Sequence, residues 1–179
     1  MGKVIVSDIF GATPALEALA GAIGPDVAII DPYGGKTMGF SGERRAYDHF
    51  MAHVGIRAYE KILSSHLAAL PRVSVLIGFS VGAAAVWGIS QTLTPEKTGR
   101  AVCFYGSQIR HATHVVPHIP ITHIFPEMEP GFSVDDLAAA LAGKKNVTVH
   151  KTAWLHGFMN PLSQNFSRTG YTAYIDALR

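Results

Sequence analysis

Six short apolar runs rich in β-branched residues punctuate the sequence, and helical or turn-rich stretches separate them. The runs are Lys3 to Val6, Val27 to Ile30, Val73 to Ile77, Ala101 to Tyr105, Pro120 to Phe125 and Val147 to Lys151. Each is too short for a buried helix of ordinary length, and such alternation predicts parallel strands joined by helical crossovers. Between the first two runs, Thr13-Pro14 supplies an N-cap and a proline at the first helical position; Leu16, Leu19, Ala20 and Ile23 follow at helical spacing, and Gly24-Pro25 ends the helix. A helix is predicted from about Arg44 to Leu70, interrupted at Gly55, with shorter ones at Asp135 to Leu141 and Tyr171 to Leu178. The arrangement that buries all of these is an α/β fold, an open, mostly parallel six-stranded sheet with helices on both faces. Chemistry in such sheets gathers at the carboxyl ends of the strands. The glycine-rich loop Asp31 to Gly42 leaves one such end and is expected to form a pocket wall.

The 179 residues suit one domain, 1–179, and their 48% hydrophobic content supplies one sizeable core. The formal charge is +2, with Lys and Arg scattered rather than clustered, which argues against a nucleic-acid or polybasic membrane surface. Val4-Ile5-Val6 is too short for a signal-peptide core or a membrane span, and Val6 stands where a myristoylation signal needs Ser or Thr. A lone cysteine cannot form an internal disulfide, so a cytoplasmic setting is expected. Cys103 lies within an apolar strand and reads as a small core residue.

Gly78-Phe79-Ser80-Val81-Gly82 follows the third run directly and precedes the small-residue helix Ala83-Ala84-Ala85-Val86-Trp87. This is a Gly-x-Ser-x-Gly nucleophile elbow in its proper context. The serine sits on a strained strand-to-helix turn, and the flanking glycines let neighbouring backbone approach. The helix N-terminus behind it offers unpaired N–H groups to a developing oxyanion. Without such surroundings, the same pentapeptide would be an ordinary glycine-flanked turn.

A serine nucleophile needs a base, and the base needs an orienting carboxylate, in the chain order Ser, acid, His. His156, in Trp154-Leu155-His156-Gly157-Phe158, lies just after the last strand and is the candidate base. Among the other histidines, His49, His53 and His66 are expected to face solvent from the long helix, and His123 and His150 belong to strands. His111, His114 and His118 share a loop, but their spacing matches no helical ligand pair and no acid adjoins them, so neither metal nor cofactor is expected. Glu129 and Glu127 leave the fifth strand and are the candidate acids, Glu129 first. Asp135 and Asp136 open the next helix, where capping and the helix dipole already account for carboxylates.

Together these residues resemble the dienelactone hydrolase family of α/β-hydrolases over nearly the whole chain. Ser7-Asp8-Ile9-Phe10-Gly11 resembles the family's opening, Gly78 to Gly82 its elbow, Ala101 to Gly106 its following strand and His156-Gly157-Phe158 its base loop. The resemblance implies that Ile9 and Val81 donate the oxyanion N–H groups and that Glu129 replaces the usual aspartate. Ser80 stands where the founding members carry cysteine, and Asp8 where they carry a glutamate that contacts the resting nucleophile. No cap domain is expected.

The implied activity is hydrolysis of a small-molecule ester or lactone through an acyl-enzyme on Ser80. The competing reading is a catalytically silent relative that binds small molecules or assembles. Asp8, Phe10, Phe79, Trp154 and Phe158 are candidate substrate contacts, with Phe40 and Met159 beside them, although aromatic residues in such places are equally often core. Arg44 and Arg45 are candidates to pair with a substrate carboxylate, as in the founding family, against their plainer reading as solvated residues at a helix start.

Overall fold

Successive residues of a strand point to opposite faces, and here both faces are buried. In the computed structural model, which describes residues 2–179, β1 (Gly2–Val6) sends Val4 and Val6 to one face and Ile5 to the other. In β3 (Val73–Phe79), Leu76 and Ile77 divide in the same way. The remaining strands are β2 (Val27–Ile30), β4 (Thr98–Phe104), β5 (Ile121–Phe125) and β6 (Val147–Lys151). Their order is β2-β1-β3-β4-β5-β6, and all five pairings are parallel, where the sequence suggested only a mostly parallel sheet.

Helices cover both faces. On one side lie α1 (Pro14–Ile23) and α6 (Arg168–Leu178), which contribute Leu19, Ile23, Ile175 and Leu178. On the other lie α3 (Gly55–Ala69), α4 (Val81–Ile89) and α5 (Val134–Ala142), with Tyr59, Leu63, Trp87 and Leu137 among their core residues. Helix α2 (Glu43–His53) precedes α3, and the break expected at Gly55 falls there, with Gly55 at φ 71°. Thr13 caps α1 by accepting from the Leu16 N–H, as its sequence implied.

The chain runs outward from β1 to β2 and then returns to place β3 on β1's other side. The crevice between the carboxyl ends of β1 and β3 is therefore the switch point, where open α/β sheets accept ligands. The buried Tyr59 hydroxyl steadies this end of the sheet from α3, at 3.1 Å from the Ser7 carbonyl oxygen and 3.0 Å from that of Ile30.

Candidate active site

Ser80 occupies the junction of β3 and α4 with φ 51° and ψ −113°, a strained conformation for a residue with a side chain. Its N–H donates to the Phe104 carbonyl (3.0 Å) and its carbonyl accepts from the Ala84 N–H (3.1 Å), so sheet and helix hold the turn from both sides. The flanking glycines are sterically required. A Cβ on Gly78 would lie 2.7 Å from the Ala83 Cα, and one on Gly82 would overlap the carbonyl oxygens of Val6 and Ser7.

The His156 Nε2 lies 3.0 Å from the Ser80 Oγ, and its Nδ1 lies 2.5 Å from the Glu129 Oε1. A carboxylate only accepts hydrogen bonds, so Nδ1 carries the proton and Nε2 is left to accept from the serine hydroxyl. Two supports fix the imidazole. Asn165 donates its side-chain amide to the His156 carbonyl (2.9 Å), and the Tyr105 ring lies 4.9 Å from the imidazole, centroid to centroid. The Glu129 side chain is only 8% exposed, so its bond to the imidazole is shielded from water.

Ile9 and Val81 border the same cleft, and neither N–H donates to a backbone carbonyl among the described residues. The loop carrying Ile9 is braced from two directions. Asp8 accepts from the Phe10 N–H (2.9 Å) and from the Asn160 amide (2.7 Å), while the Tyr33 hydroxyl donates to the Ile9 carbonyl (2.8 Å). Loss of water around Asp8 raises its carboxyl above the usual carboxylate range, against the opposing effect of those two hydrogen bonds.

The cleft holds about 340 Å³, and Asp8, Ile9, Phe10, Ser80, Val81, Glu129 and His156 all line it. Other candidates lie elsewhere. Phe79, Phe158 and Met159 are buried in the core between the sheet and helices α1 and α6, and Trp154 packs against that core. Phe79 and Phe158 belong there because the residue just before Ser80 and the second residue after His156 both point back into the sheet's aromatic layer, where Phe104 meets each of them. Arg45 is exposed and outside the cleft; Arg44 lines it, but with an 88% exposed side chain bonded to Asp48 at 2.7 Å.

The loop from Asp31 to Gly42 is not a pocket wall. The Asp31 carboxylate folds it on itself by accepting from the Tyr33 and Gly35 N–H groups (2.7 Å each), and the wall is built instead by Glu43, Arg44 and Tyr47 of α2. His49 does not face solvent but packs on the rings of Tyr33 and Phe40, whereas His53 and His66 are exposed. Glu127 is exposed, and Asp135 pairs with Lys151 at 2.6 Å. His111, His114 and His118 are exposed, and among the described residues no three His, Cys, Asp or Glu side chains gather as a metal site. Sequence reasoning passed over Glu43, Tyr105, Asn160, Ser163 and Asn165. No motif marks them; Asn160, Ser163 and Asn165 lie four, seven and nine residues after His156.

No family model matches the chain. A protein of Bacillus subtilis strain 168, described as the uncharacterized protein YczH, is 37% identical over 129 residues. That match takes in 70% of this chain but 62% of the relative, so it spans less than two thirds of the longer protein. Among solved structures, a Klebsiella pneumoniae protein assigned as a dienelactone hydrolase superposes with a TM-score of 0.75 at 13% identity, covering 99% of this chain and 85% of that one. A dienelactone hydrolase-like promiscuous phosphotriesterase from metagenomic libraries gives 0.69 at 17%, covering 99% and 84%. A cold-adapted esterase from an Arctic intertidal metagenomic library gives 0.60 at 17%, covering 99% and 80%. The chain thus shares its fold, over nearly its whole length, with structures described as dienelactone hydrolases and as an esterase.

Proposed function

We propose that the protein is a serine hydrolase that cleaves a carboxylic ester or lactone of a small substrate through an acyl-enzyme on Ser80. The observation that carries this reading is the continuous relay from Ser80 Oγ through His156 to Glu129, with spacings of 3.0 and 2.5 Å. The Ser80 Oγ attacks the carbonyl carbon as its proton passes to the His156 Nε2. The resulting oxyanion accepts from the N–H groups of Ile9 and Val81, two residues that line the cleft at the β1 and β3 ends. Collapse of the tetrahedral adduct breaks the carbon–oxygen bond to the leaving group, which takes the proton from His156. A water then enters, gives a proton to His156 and attacks the acyl carbon; collapse returns the proton to Ser80 and releases the acid. Glu129 holds the tautomer and the charged ring throughout.

The fold's likeness to structures described as dienelactone hydrolase-like and as an esterase supports the same reaction class. A cytoplasmic setting belongs to the same proposal, supported by the lone, buried Cys103. Treatment with a fluorophosphonate followed by mass spectrometry tests the reading. Stoichiometric labelling at Ser80, lost in Ser80→Ala together with turnover of a short-chain chromogenic ester, is expected. A folded protein that neither labels nor turns over the ester would instead be a silent binding member.

A further inference from the structure

Resting on the hydrolase reading above, we propose that Glu43 sets the substrate class, and that the cleft takes esters whose alcohol half carries a cationic group. Glu43 opens α2 and lines the cleft. Its Oε1 accepts from the Ser163 Oγ at 2.5 Å, and among the described residues no Lys, Arg or His pairs with its carboxylate. The other two acids of the cleft are answered: Glu129 by the imidazole, Asp8 by the Asn160 amide and the Phe10 N–H. Arg44, the one Lys or Arg lining the cleft among the described residues, is bonded to Asp48 and points to solvent. A substrate carboxylate therefore meets an unneutralised anion, while a cation meets a partner already held in place by a neutral hydroxyl.

The position of Glu43 distinguishes the two halves of the ester. Its Oε1 lies 3.7 Å from where a Cβ would stand on Gly157, beside the backbone that follows His156. His156 protonates the departing oxygen, so the alcohol half lies on the His156 side during acylation. Ser163, Gln164 and Asn165, which follow His156 in the chain and also line the cleft, are uncharged.

The test compares kcat/KM for three butyrate esters at low ionic strength: trimethylammonioethyl, its neutral isostere dimethylbutyl, and carboxypropyl. The cationic ester is expected to lead the neutral one about tenfold, with the carboxylate ester last, and the lead should shrink with added salt. Glu43→Gln should bring the cation-to-neutral ratio towards one, and Glu43→Lys should turn the preference to the carboxylate ester. Equal ratios in the wild type and Glu43→Gln, or a wild-type preference for the carboxylate ester, would overturn the proposal and leave the hydrolase reading standing. Moving the cation to the acyl half should weaken the preference; an equal or larger one would overturn the assignment to the alcohol side. Failure to turn over any of the three, with no fluorophosphonate labelling of Ser80, would overturn both readings.

Discussion

The Asn160 side-chain amide donates to the Asp8 carboxylate at 2.7 Å across 152 positions of sequence, joining the loop that carries His156 to the loop that carries Ile9. Asp8 keeps its proton to higher pH than an ordinary aspartate because the surrounding protein withdraws water from it. Asn160→Ala removes a partner from a desolvated carboxylate, which typically costs about 1–3 kcal/mol. That cost falls on the ionised form, so the variant should lose most stability at neutral pH and less as falling pH protonates Asp8. Urea denaturation of both proteins at neutral and acidic pH checks the sign, and a reduced kcat with little change in KM would show that the Ile9 loop has slackened as well.

Glu129→Gln should lower kcat by roughly 10⁴-fold, as expected when an amide leaves the imidazole in the wrong tautomer. Glu127→Gln should be nearly neutral, since Glu127 is exposed while Glu129 lies 2.5 Å from the His156 Nδ1. Steady-state kinetics on a neutral short-chain ester separates the two, and the reverse pattern would reassign the acid.

The strands, the elbow and the order of the three catalytic candidates were legible because each is written locally. Apolar runs have a length, Gly78-Phe79-Ser80-Val81-Gly82 has its strand and helix alongside, and Glu129 and His156 follow strand ends. What was misread depends on contacts distant in sequence. Phe79, Trp154 and Phe158 have the composition of a pocket lining, but the direction of each ring is set by the layer around Phe104 and Tyr174, which no local pattern encodes. Likewise the loop after β2 reads as a wall from its glycines, but the Asp31 turn and the Tyr33 bond to the Ile9 carbonyl make it a brace for the loop that carries Ile9, from outside the cleft. Glu43 and Asn160 carry no motif at all; their roles arise from partners 120 and 152 positions away.

Two glycine-to-alanine changes should move stability in opposite directions. At Gly82 a methyl group would overlap the Val6 and Ser7 carbonyl oxygens, and both obstacles are backbone, so α4 must move off β1 at a cost of at least about 2 kcal/mol. At Gly21, inside α1, a methyl group meets nothing within 4 Å, and the change should stabilise by about 0.5–1 kcal/mol through helix propensity and a less flexible unfolded chain. Thermal unfolding of the two variants checks both signs, and Gly82→Ala should also lose ester turnover because the Val81 N–H moves with α4.

His123 is fully buried in β5 with its ring between Trp87 and Phe125, and neither ring nitrogen has a hydrogen-bond partner among the described residues. Its partners across the two ladders are Cys103, whose thiol burial keeps protonated, and Val149, and neither carries a charge. Burial lowers the His123 pKa to about 3, against 6.5 for the free side chain. The folded state thus holds a neutral ring while the unfolded chain takes up a proton below about 6.5, and stability contributed at neutral pH is lost as the pH falls, by up to about 1.4 kcal/mol per unit until the folded ring itself titrates. His123→Phe keeps the stacking on Trp87 and Phe125 and removes both the proton uptake and the orphaned nitrogens. Its stability relative to the wild type should therefore rise by about 2 kcal/mol between pH 7 and pH 5, read as the widening gap between two sets of urea midpoints at constant slope. A gap that stays constant over that range would mean that the folded protein protonates His123, and the neutral, unpartnered ring would have to be abandoned.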